Sequence, residues 1–278
     1  METALHNILE RVRAAAADAT PLRLCGGGSK DFHGLALEGT PLELRPLRGI
    51  ISYEPTELVV TARAGTPLQE LQATLAQAGQ TLAFEPPHFA LGDKQPTVGG
   101  MVAAGWSGPA RASSGAVRDF VLGVEIINGR GELLRYGGQV MKNVAGYDVS
   151  RLMAGSWGTL GVITEVSLKV LPVAPAQATL VFAMDEAQAL EALNRWGGQP
   201  LPLNASCWAQ GQLWLRLCGA QAAVQAACQK LGGERLPDDQ AAALWHSLRE
   251  QQHPWFAQRS DADALWRLSL PQTAAPLA

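Results

Sequence analysis

Glycine is concentrated in one part of this chain, and this feature limits the possible folds most strongly. Of the 29 glycines, 23 lie between Gly26 and Gly161. Glycine adopts positive φ without strain and lets the backbone approach another backbone or a ligand closely. By contrast, six of the eight tryptophans lie from Trp196 onward. The two compositions predict a glycine-rich, ligand-binding first part and a conventionally packed second part, joined by the proline-rich stretch LPVAPA at 171–176.

The first part is predicted to alternate helices with short strands. Apolar residues at helical spacing from Leu5 to Val12 predict an amphipathic helix. A second helix is predicted to have Thr66 as its N-cap and Pro67 as its first residue. Residues 85–115 are rich in glycine and proline and are predicted to form a long irregular loop. Asn128-Gly129 lies between two apolar runs and predicts a β-hairpin.

The second part is predicted to follow the order β-α-β-β-α, which is a ferredoxin-like unit without its last strand. Asp185 is the predicted N-cap of the first helix, and Gln210-Gly211 is the predicted hairpin turn. A further helix at 238–251 and a strand at 265–270 are also expected. We therefore expect an α+β protein with two domains, 1–173 and 174–278.

Composition excludes several classes of protein. The 22 Lys and Arg against 25 Asp and Glu give a net charge of -3, without the basic excess of a nucleic-acid-binding protein. No apolar run approaches the roughly 20 residues of a transmembrane helix, and the charged N-terminus METALHNILERVR does not resemble a signal peptide. The four cysteines lack CxxC spacing, so we expect reduced thiols and no metal site in a cytoplasmic protein. Cys207 and Cys218 could face each other across the predicted hairpin.

Three glycine-containing segments hold the candidate binding residues. The first, GGGSK at 26–30, follows a predicted strand, and its consecutive N–H groups can form a concavity for pyrophosphate. It matches neither GxxxxGK[ST] nor GxGxxG before a helix, and a plain flexible turn is the alternative. The second, PTVGG at 96–100, allows close approach of a flat ligand or forms an Ω-loop. The third, GSWGTLGVIT at 155–164, is by itself only a turn that leads into a strand.

Taken in this order, the three segments resemble the vanillyl-alcohol-oxidase-like family of flavoproteins, whose FAD domain is also called the p-cresol methylhydroxylase type (VAO/PCMH type). The resemblance covers about 20–173. Within this family, EPPHF at 85–89, GMVAAGWSGPAR at 100–111 and the sequences at 117–138 and 141–172 are similar to GlcE-type FAD-binding subunits of bacterial glycolate oxidases. The resemblance implies a two-subdomain VAO/PCMH-type FAD-binding domain followed by a partial ferredoxin-like cap domain.

The resemblance also implies a role for each segment. The first would bind the FAD pyrophosphate, the second the flavin and its ribityl chain, and the third the adenosine half. The implied FAD-binding residues are Cys25, Gly26, Gly27, Gly28, Ser29, Lys30, Pro96, Thr97, Val98, Gly99, Gly100, Gly105, Gly108, Ser113, Gly115, Arg118, Asp119, Gly158, Gly161 and Ile163. For Arg118 and Asp119, a surface ion pair is an equal alternative. Because GGGSK lacks the histidine that tethers FAD in some relatives, we expect non-covalent FAD.

The catalytic residues are less well indicated. Oxidising subunits of 2-hydroxyacid enzymes carry a His-rich cluster near the flavin, which this sequence lacks, and catalytic relatives commonly carry Glu where it has Trp157. His88, in EPPHF, and Arg267, as a ligand of a substrate carboxylate, are weak candidates. A structural hydrogen bond for His88 and an exposed strand position for Arg267 are the alternatives. The N-P-G-[RK] tail of relatives is absent from the sequence, so an incomplete cap domain is expected.

The expected function is that of an FAD-binding redox subunit in a complex that oxidises glycolate to glyoxylate. Its expected partners are a second FAD-binding glycolate oxidase subunit and an iron–sulfur subunit, through which it could reach the inner face of the cell membrane. There are two alternatives. One is a self-sufficient FAD-dependent 2-hydroxyacid dehydrogenase, and the other is a non-catalytic FAD-binding assembly subunit.

Overall fold

The computed structural model describes residues 3–36, 38–138, 147–258, 260 and 263–276. The chain divides into two compact units. Unit 1 comprises Met1–Ser107 and Gly115–Val173, and unit 2 comprises Gly108–Ser114 and Ala174–Ala278. Nothing in the sequence indicates that 108–114 groups with the later residues. The motif at 141–172 lies partly outside the described residues.

Both units contain helices and strands. The helices are α1 (Thr3–Ala17), α2 (Leu68–Gln77), α3 (Val98–Ala104), α4 (Arg111–Ser114), α5 (Val117–Phe120), α6 (Val149–Leu152), α7 (Glu186–Gly197), α8 (Gln221–Leu231), α9 (Asp238–Arg249) and α10 (Pro254–Ala257), with a 3-10 turn at Pro55–Glu57. The strands are β1 (Leu22–Cys25), β2 (Thr40–Glu43), β3 (Ile50–Glu54), β4 (Val59–Arg63), β5 (Gln80–Thr81), β6 (Val121–Ile127), β7 (Leu133–Gly137), β8 (Val162–Lys169), β9 (Leu171–Pro172), β10 (Ala176–Ala183), β11 (Leu203–Ala209), β12 (Gln212–Gly219) and β13 (Glu234–Arg235).

Unit 1 is built on a five-stranded antiparallel sheet with the order β3-β4-β8-β6-β7. The predicted hairpin at Asn128 joins β6 to β7. The apolar residues of α2 and α3 pack on this sheet and form the main core. A second core lies under α1, whose stripe from Leu5 to Val12 is buried against Leu42 and Leu47 near the parallel pair β1-β2. The amphipathic helix predicted from that stripe is therefore confirmed.

The start of α2 differs from the sequence prediction by one position. Pro67 occupies the N-cap, and Thr66 lies before it. The Thr66 hydroxyl donates to the Gly49 carbonyl at 3.1 Å and accepts from the Gly49 amide at 2.9 Å. A buried hydroxyl must find hydrogen-bond partners, and here the β3 connection supplies them, so tertiary contacts override the capping preference of threonine.

The prediction of an irregular loop over 85–115 is wrong for its second half. Helix α3 begins at Val98, where the Thr97 side chain accepts a hydrogen bond from the Gly100 amide at 3.2 Å. Helix α3 ends at Gly105, in the left-handed conformation. A Thr N-cap and a Gly C-cap are ordinary helix boundaries, but the two adjacent glycines weaken the helical signal between them.

A row of four charged residues crosses the five-stranded sheet. Backbone register places Arg63 of β4 beside Glu165 of β8, Glu165 beside Glu125 of β6, and Glu125 beside Arg135 of β7. The buried Glu125 carboxylate accepts from Arg135 Nε at 2.7 Å and from the Thr164 hydroxyl at 2.9 Å. Arg63 reaches both Glu165, at 3.1 Å, and Glu125, at 3.4 Å. Two arginines therefore lie against two adjacent carboxyl groups within the sheet.

Unit 2 has a four-stranded sheet with the order β11-β12-β10-β13. Asp185 caps α7 as predicted, in a reciprocal capping box with Gln188. The hairpin β11-β12 also forms as predicted, but Cys207 lies opposite Trp214 and not opposite Cys218. The two-residue strand β13 pairs with β10 and supplies the last strand of the ferredoxin-like order, so the prediction that this strand is missing is wrong. The strand predicted at 265–270 is not formed, and these residues are exposed.

Candidate functional site

All three glycine segments meet at one cleft in unit 1. The cleft contains about 930 Å³ of space, part of it open to solvent. The predicted residues that line it are Gly26, Gly27, Gly28, Ser29, Lys30, Pro96, Thr97, Gly99, Gly100, Gly158, Gly161 and Ile163. Leu24, Leu44, Ala64, Ala103 and Ala104 add an apolar wall. Segments that are far apart in the sequence thus form one concave surface.

The first turn of α3 is tied to the neighbouring strand connection. The Gly99 amide donates to the Ala64 carbonyl at 2.8 Å, and the Val98 amide donates to the Thr66 carbonyl at 2.9 Å. A Cβ on Gly99 would lie 2.6 Å from the Ala64 Cβ. Helix α3 therefore packs closer to β4 than any side chain would allow, and this contact fixes the position of Thr97 in the cleft.

The glycine at position 27 is required for a different reason than the sequence suggests. A Cβ on Gly27 would overlap the carbonyl oxygen of Gln95, and one on Gly26 would lie 2.9 Å from Thr97 Oγ1. Backbone atoms cannot move aside as a flexible side chain can. The first glycine segment is therefore held by contact with 95–97, and both of these segments line the cleft.

Polar groups of the first segment suit an anionic ligand. Ser29 is buried, and its hydroxyl accepts a hydrogen bond from Lys30 Nζ at 3.3 Å. The same ammonium lies 5.7 Å from the centre of the Phe89 ring, a cation–π distance. The Asp31 carboxylate is paired with Lys94 at 3.4 Å. The wall thus offers an ammonium and a hydroxyl to a phosphate-bearing molecule, and the carboxylate of Asp31, directly after this segment, is paired with Lys94.

An aromatic group lies along the cleft, and no sequence pattern predicts that its members come together. It consists of Phe32, His33, Phe89, Trp106 and Trp157, with ring centres 4.5–6.0 Å apart. His33 and Trp157 line the cleft. Position 33 is three residues beyond Lys30, and the His33 amide donates to the Lys30 carbonyl at 3.1 Å. The short distance in sequence from GGGSK is the signal that could have identified His33.

The other predicted FAD-binding residues do not line the cleft. Val98 is fully buried in the core, and the Cys25 thiol donates to the Arg23 carbonyl at 3.4 Å. Asp119 accepts from the Ala116 amide at 2.8 Å and lies 4.0 Å from the exposed Arg118, an arrangement typical of a helix cap with a surface ion pair. The remaining four are Gly105, which ends α3, Gly115, which contacts Asp119, and Gly108 and Ser113, which belong to unit 2.

Neither catalytic candidate is among the residues that line this cleft. Nε2 of His88 lies 2.8 Å from the Gln72 side-chain oxygen on α2, which is the structural hydrogen bond named as its alternative. Arg267 is exposed in unit 2, in the segment that does not form the predicted strand. Within the described ranges, no group of three His, Cys, Asp or Glu side chains could hold a metal ion. No helix among the described residues is long and apolar enough to cross a membrane.

Comparison with known proteins identifies the class of this fold. The FAD binding domain family matches residues 5–137. A solved alkyldihydroxyacetonephosphate synthase superposes with a TM-score of 0.65 at 18% identity, over 88% of this chain and 56% of that protein. The chain therefore contains an FAD-binding domain with the VAO/PCMH-type fold, as the resemblance implied.

The more specific relationship extends beyond this domain. The chain is 50% identical over 267 residues to the glycolate oxidase subunit GlcE of Escherichia coli K12, which covers 96% of this chain and 73% of that protein. The chain belongs to the GlcE family of glycolate oxidase subunits. It is also 31% identical over 158 residues to the glycolate oxidase subunit GlcD of Bacillus subtilis and 32% identical over 156 residues to a D-lactate dehydrogenase of Anaerostipes hadrus. These matches span only about a third of each of those two proteins, 32% and 31%.

The residues of the cleft fit the cofactor of this family. FAD is elongated and has two flat ring systems joined through a pyrophosphate. The apolar wall of the cleft offers surface for rings, and Lys30 with the Ser29 and Thr97 hydroxyls offers donors for phosphate oxygens. The donor set and the lining therefore match the chemistry of FAD.

Proposed function

We propose that this chain is the FAD-binding redox subunit of a complex that oxidises glycolate to glyoxylate. The observation that carries the proposal is the extent of its likeness to GlcE, 50% identity over 96% of the chain. This alignment includes both units, whereas the match to the D-lactate dehydrogenase covers only 56% of the chain. A general FAD-binding role would explain likeness in unit 1 alone.

In this proposal, GGGSK at 26–30 and Thr97 hold the pyrophosphate, and the apolar wall with Ile163 accepts the rings. FAD supplies the redox chemistry when bound, by accepting the electron pair that leaves the 2-hydroxy acid. The chain positions the cofactor, because the close contact of the first two glycine segments fixes the hydrogen-bond donors relative to the apolar wall of the cleft. Unit 2 is proposed to act as the cap domain.

We propose that FAD is held without a covalent bond. Cys25 is not among the residues that line the cleft, and His33 is stacked on Trp157. Precipitation of the flavin-loaded chain in acid should release all of the yellow colour into the supernatant. Colour retained in the pellet would contradict this part of the proposal, and His33→Ala would then show whether His33 is the attachment point.

The proposed partners are a second FAD-binding glycolate oxidase subunit and an iron–sulfur subunit that passes electrons onward. The relatives GlcE and GlcD are both glycolate oxidase subunits, which supports an assembly of several chains. Any location at the inner face of the cell membrane is proposed to arise through these partners.

Stopped-flow mixing of glycolate with the flavin-loaded chain tests this function. We expect no bleaching of the flavin absorbance by the chain alone and bleaching when both partner subunits are present. Bleaching by the chain alone would support the self-sufficient dehydrogenase. Full glycolate turnover by a complex whose copy of this chain lacks FAD would support the assembly role.

A further inference from the structure

His33 lies in the wall of the FAD-binding cleft, outside the three glycine segments. His33 lines the cleft together with Lys30 and Trp157, and it is exposed. Imidazole presents ring N–H donors to its surroundings. An exposed imidazole that lines the same cleft as the Lys30 ammonium and the Ser29 hydroxyl is a suitable third donor for an anion.

Two indole rings hold the imidazole in place. The ring of His33 stacks on Trp157, with centres 4.5 Å apart and planes at 22°, and it meets Trp106 at 5.0 Å and 84°. The indoles themselves are 5.6 Å apart at 74°. Contacts on two sides restrict rotation of the imidazole, so less conformational entropy is lost when it binds a ligand.

The backbone keeps Trp157 in this position despite strain. Trp157 has φ of 53°, in the left-handed region that bulky residues avoid. Its amide donates to the Ala103 carbonyl at 2.9 Å. Strain of this kind persists where neighbouring contacts enforce it, and it is concentrated at ligand sites.

We propose that His33 is a ligand of the FAD pyrophosphate, beside Lys30, and that Trp157 is the residue that positions it. This inference rests on the proposed binding of FAD in the cleft. A donor on a short turn after GGGSK extends the anion-binding wall beyond the glycine segment.

The test is the affinity of the FAD-free chain for FAD and for ADP, which carries the pyrophosphate without the flavin. Affinity for FAD is measured by titration calorimetry, and ADP is used as a competitor. We expect His33→Ala to raise both dissociation constants about tenfold, the effect of one hydrogen bond to a charged group. His88→Ala is the matched control, because His88 bonds Gln72 outside the cleft.

Variants of Trp157 test the positioning role. Trp157→Phe keeps a stacking ring and should retain affinity, whereas Trp157→Leu should weaken FAD binding nearly as much as His33→Ala. The double variant His33→Ala/Trp157→Leu should bind no more weakly than His33→Ala alone, because both changes remove the same contact. Far-UV circular dichroism of each variant separates loss of contact from loss of fold, and His33→Gln provides a second, less disruptive probe of position 33.

Each of the other outcomes overturns a specific part of the proposal. Wild-type affinity for FAD in folded His33→Ala overturns the role of His33 and leaves FAD binding intact. Weaker FAD binding with unchanged ADP competition places His33 at the flavin and overturns the pyrophosphate contact. Additive effects in the double variant overturn the positioning role of Trp157. Absence of FAD binding by the wild-type chain overturns the proposed function and this inference together.

Discussion

At the scale of single residues, the cleft depends on backbone segments that approach each other too closely for a side chain to fit between them. Gly27 meets the carbonyl of Gln95, and Gly99 meets Ala64. Neither contact involves a ligand, although both glycines line the cleft. The high glycine content of this region therefore reflects how the cleft walls are joined as much as what the cleft binds.

This explanation predicts the effect of Gly27→Ala. The added methyl group must displace backbone at Gln95, so we expect the FAD-free chain to lose about 3 kcal/mol or more of stability, together with its FAD affinity. Urea unfolding and FAD titration measure the two effects. Gly129→Ala is the control, since no described atom lies within 4 Å of its Cβ. Normal stability of FAD-free Gly27→Ala with lost FAD binding would instead assign Gly27 to the ligand.

Thr97, which caps α3 and lies against Gly26, allows a milder substitution in the same part of the cleft. Thr97→Val removes the oxygen that caps α3 but keeps the side-chain volume, so we expect the FAD-free chain to lose about 1 kcal/mol. Thr97→Ser keeps the capping oxygen, so its free energy of unfolding should stay within a few tenths of a kcal/mol of the wild-type value. Equal stability of the Val and wild-type chains in urea would show that the 3.2 Å hydrogen bond to Gly100 contributes nothing.

At the scale of elements, the charged row in the five-stranded sheet predicts a dependence of stability on pH. Burial raises the pKa of the Glu165 carboxyl above its ordinary value of 4.5, and the adjacent Glu125 adds to the rise, while Arg135 and Arg63 oppose it. The folded chain therefore retains this proton at pH values where the unfolded chain has released it. The resulting stabilisation is complete below about pH 4.5 and is lost as the pH rises through the folded pKa.

Glu165→Gln removes this titration while keeping a polar side chain of the same size. We expect the stability of the variant relative to the wild type to increase as the pH is raised from 4.5 to 7.5, measured by urea unfolding at each pH. Glu10→Gln is the control, since Glu10 forms only an exposed pair with Arg13. A relative stability that decreases with pH would mean that the two arginines outweigh burial and the Glu125 charge.

Local sequence patterns predicted the helices, turns and caps for which tertiary contacts favour the same structure as the local sequence does. The stripe of α1, the hairpin at Asn128 and the cap at Asp185 all formed as expected. These patterns failed where a distant contact decides the structure. Thr66 bonds Gly49 instead of capping α2, and glycines in α3 concealed a helix whose Gly99 packs on Ala64. In the cleft, glycine marked all three segments, and Trp157 lies in the third of them. His33 lies outside these segments, and its contact with Trp157 forms only in the folded chain.

At the scale of the whole molecule, the described lining of the cleft holds little that could serve as a base. Oxidation of a 2-hydroxy acid requires a group that takes the hydroxyl proton within hydrogen-bond distance. The carboxylate in this lining, Asp31, is paired with Lys94, and the imidazole, His33, is stacked on Trp157. His88 is bonded to Gln72 outside the cleft. These placements favour a subunit that carries FAD while a partner supplies the proton acceptor.

The chain alone is therefore expected not to turn over glycolate. The measurement is glycolate-dependent reduction of an artificial dye by the FAD-saturated chain, alone and then together with the second flavoprotein subunit and the iron–sulfur subunit. We expect activity only in the assembled sample, at about 1 per second or faster, which is an ordinary enzymatic rate. D-lactate serves as a parallel substrate because a D-lactate dehydrogenase is among the relatives of this chain. Turnover of either acid at that rate by the chain alone would reject the subunit function and establish a self-sufficient dehydrogenase whose base lies outside the described cleft lining or is His33 itself.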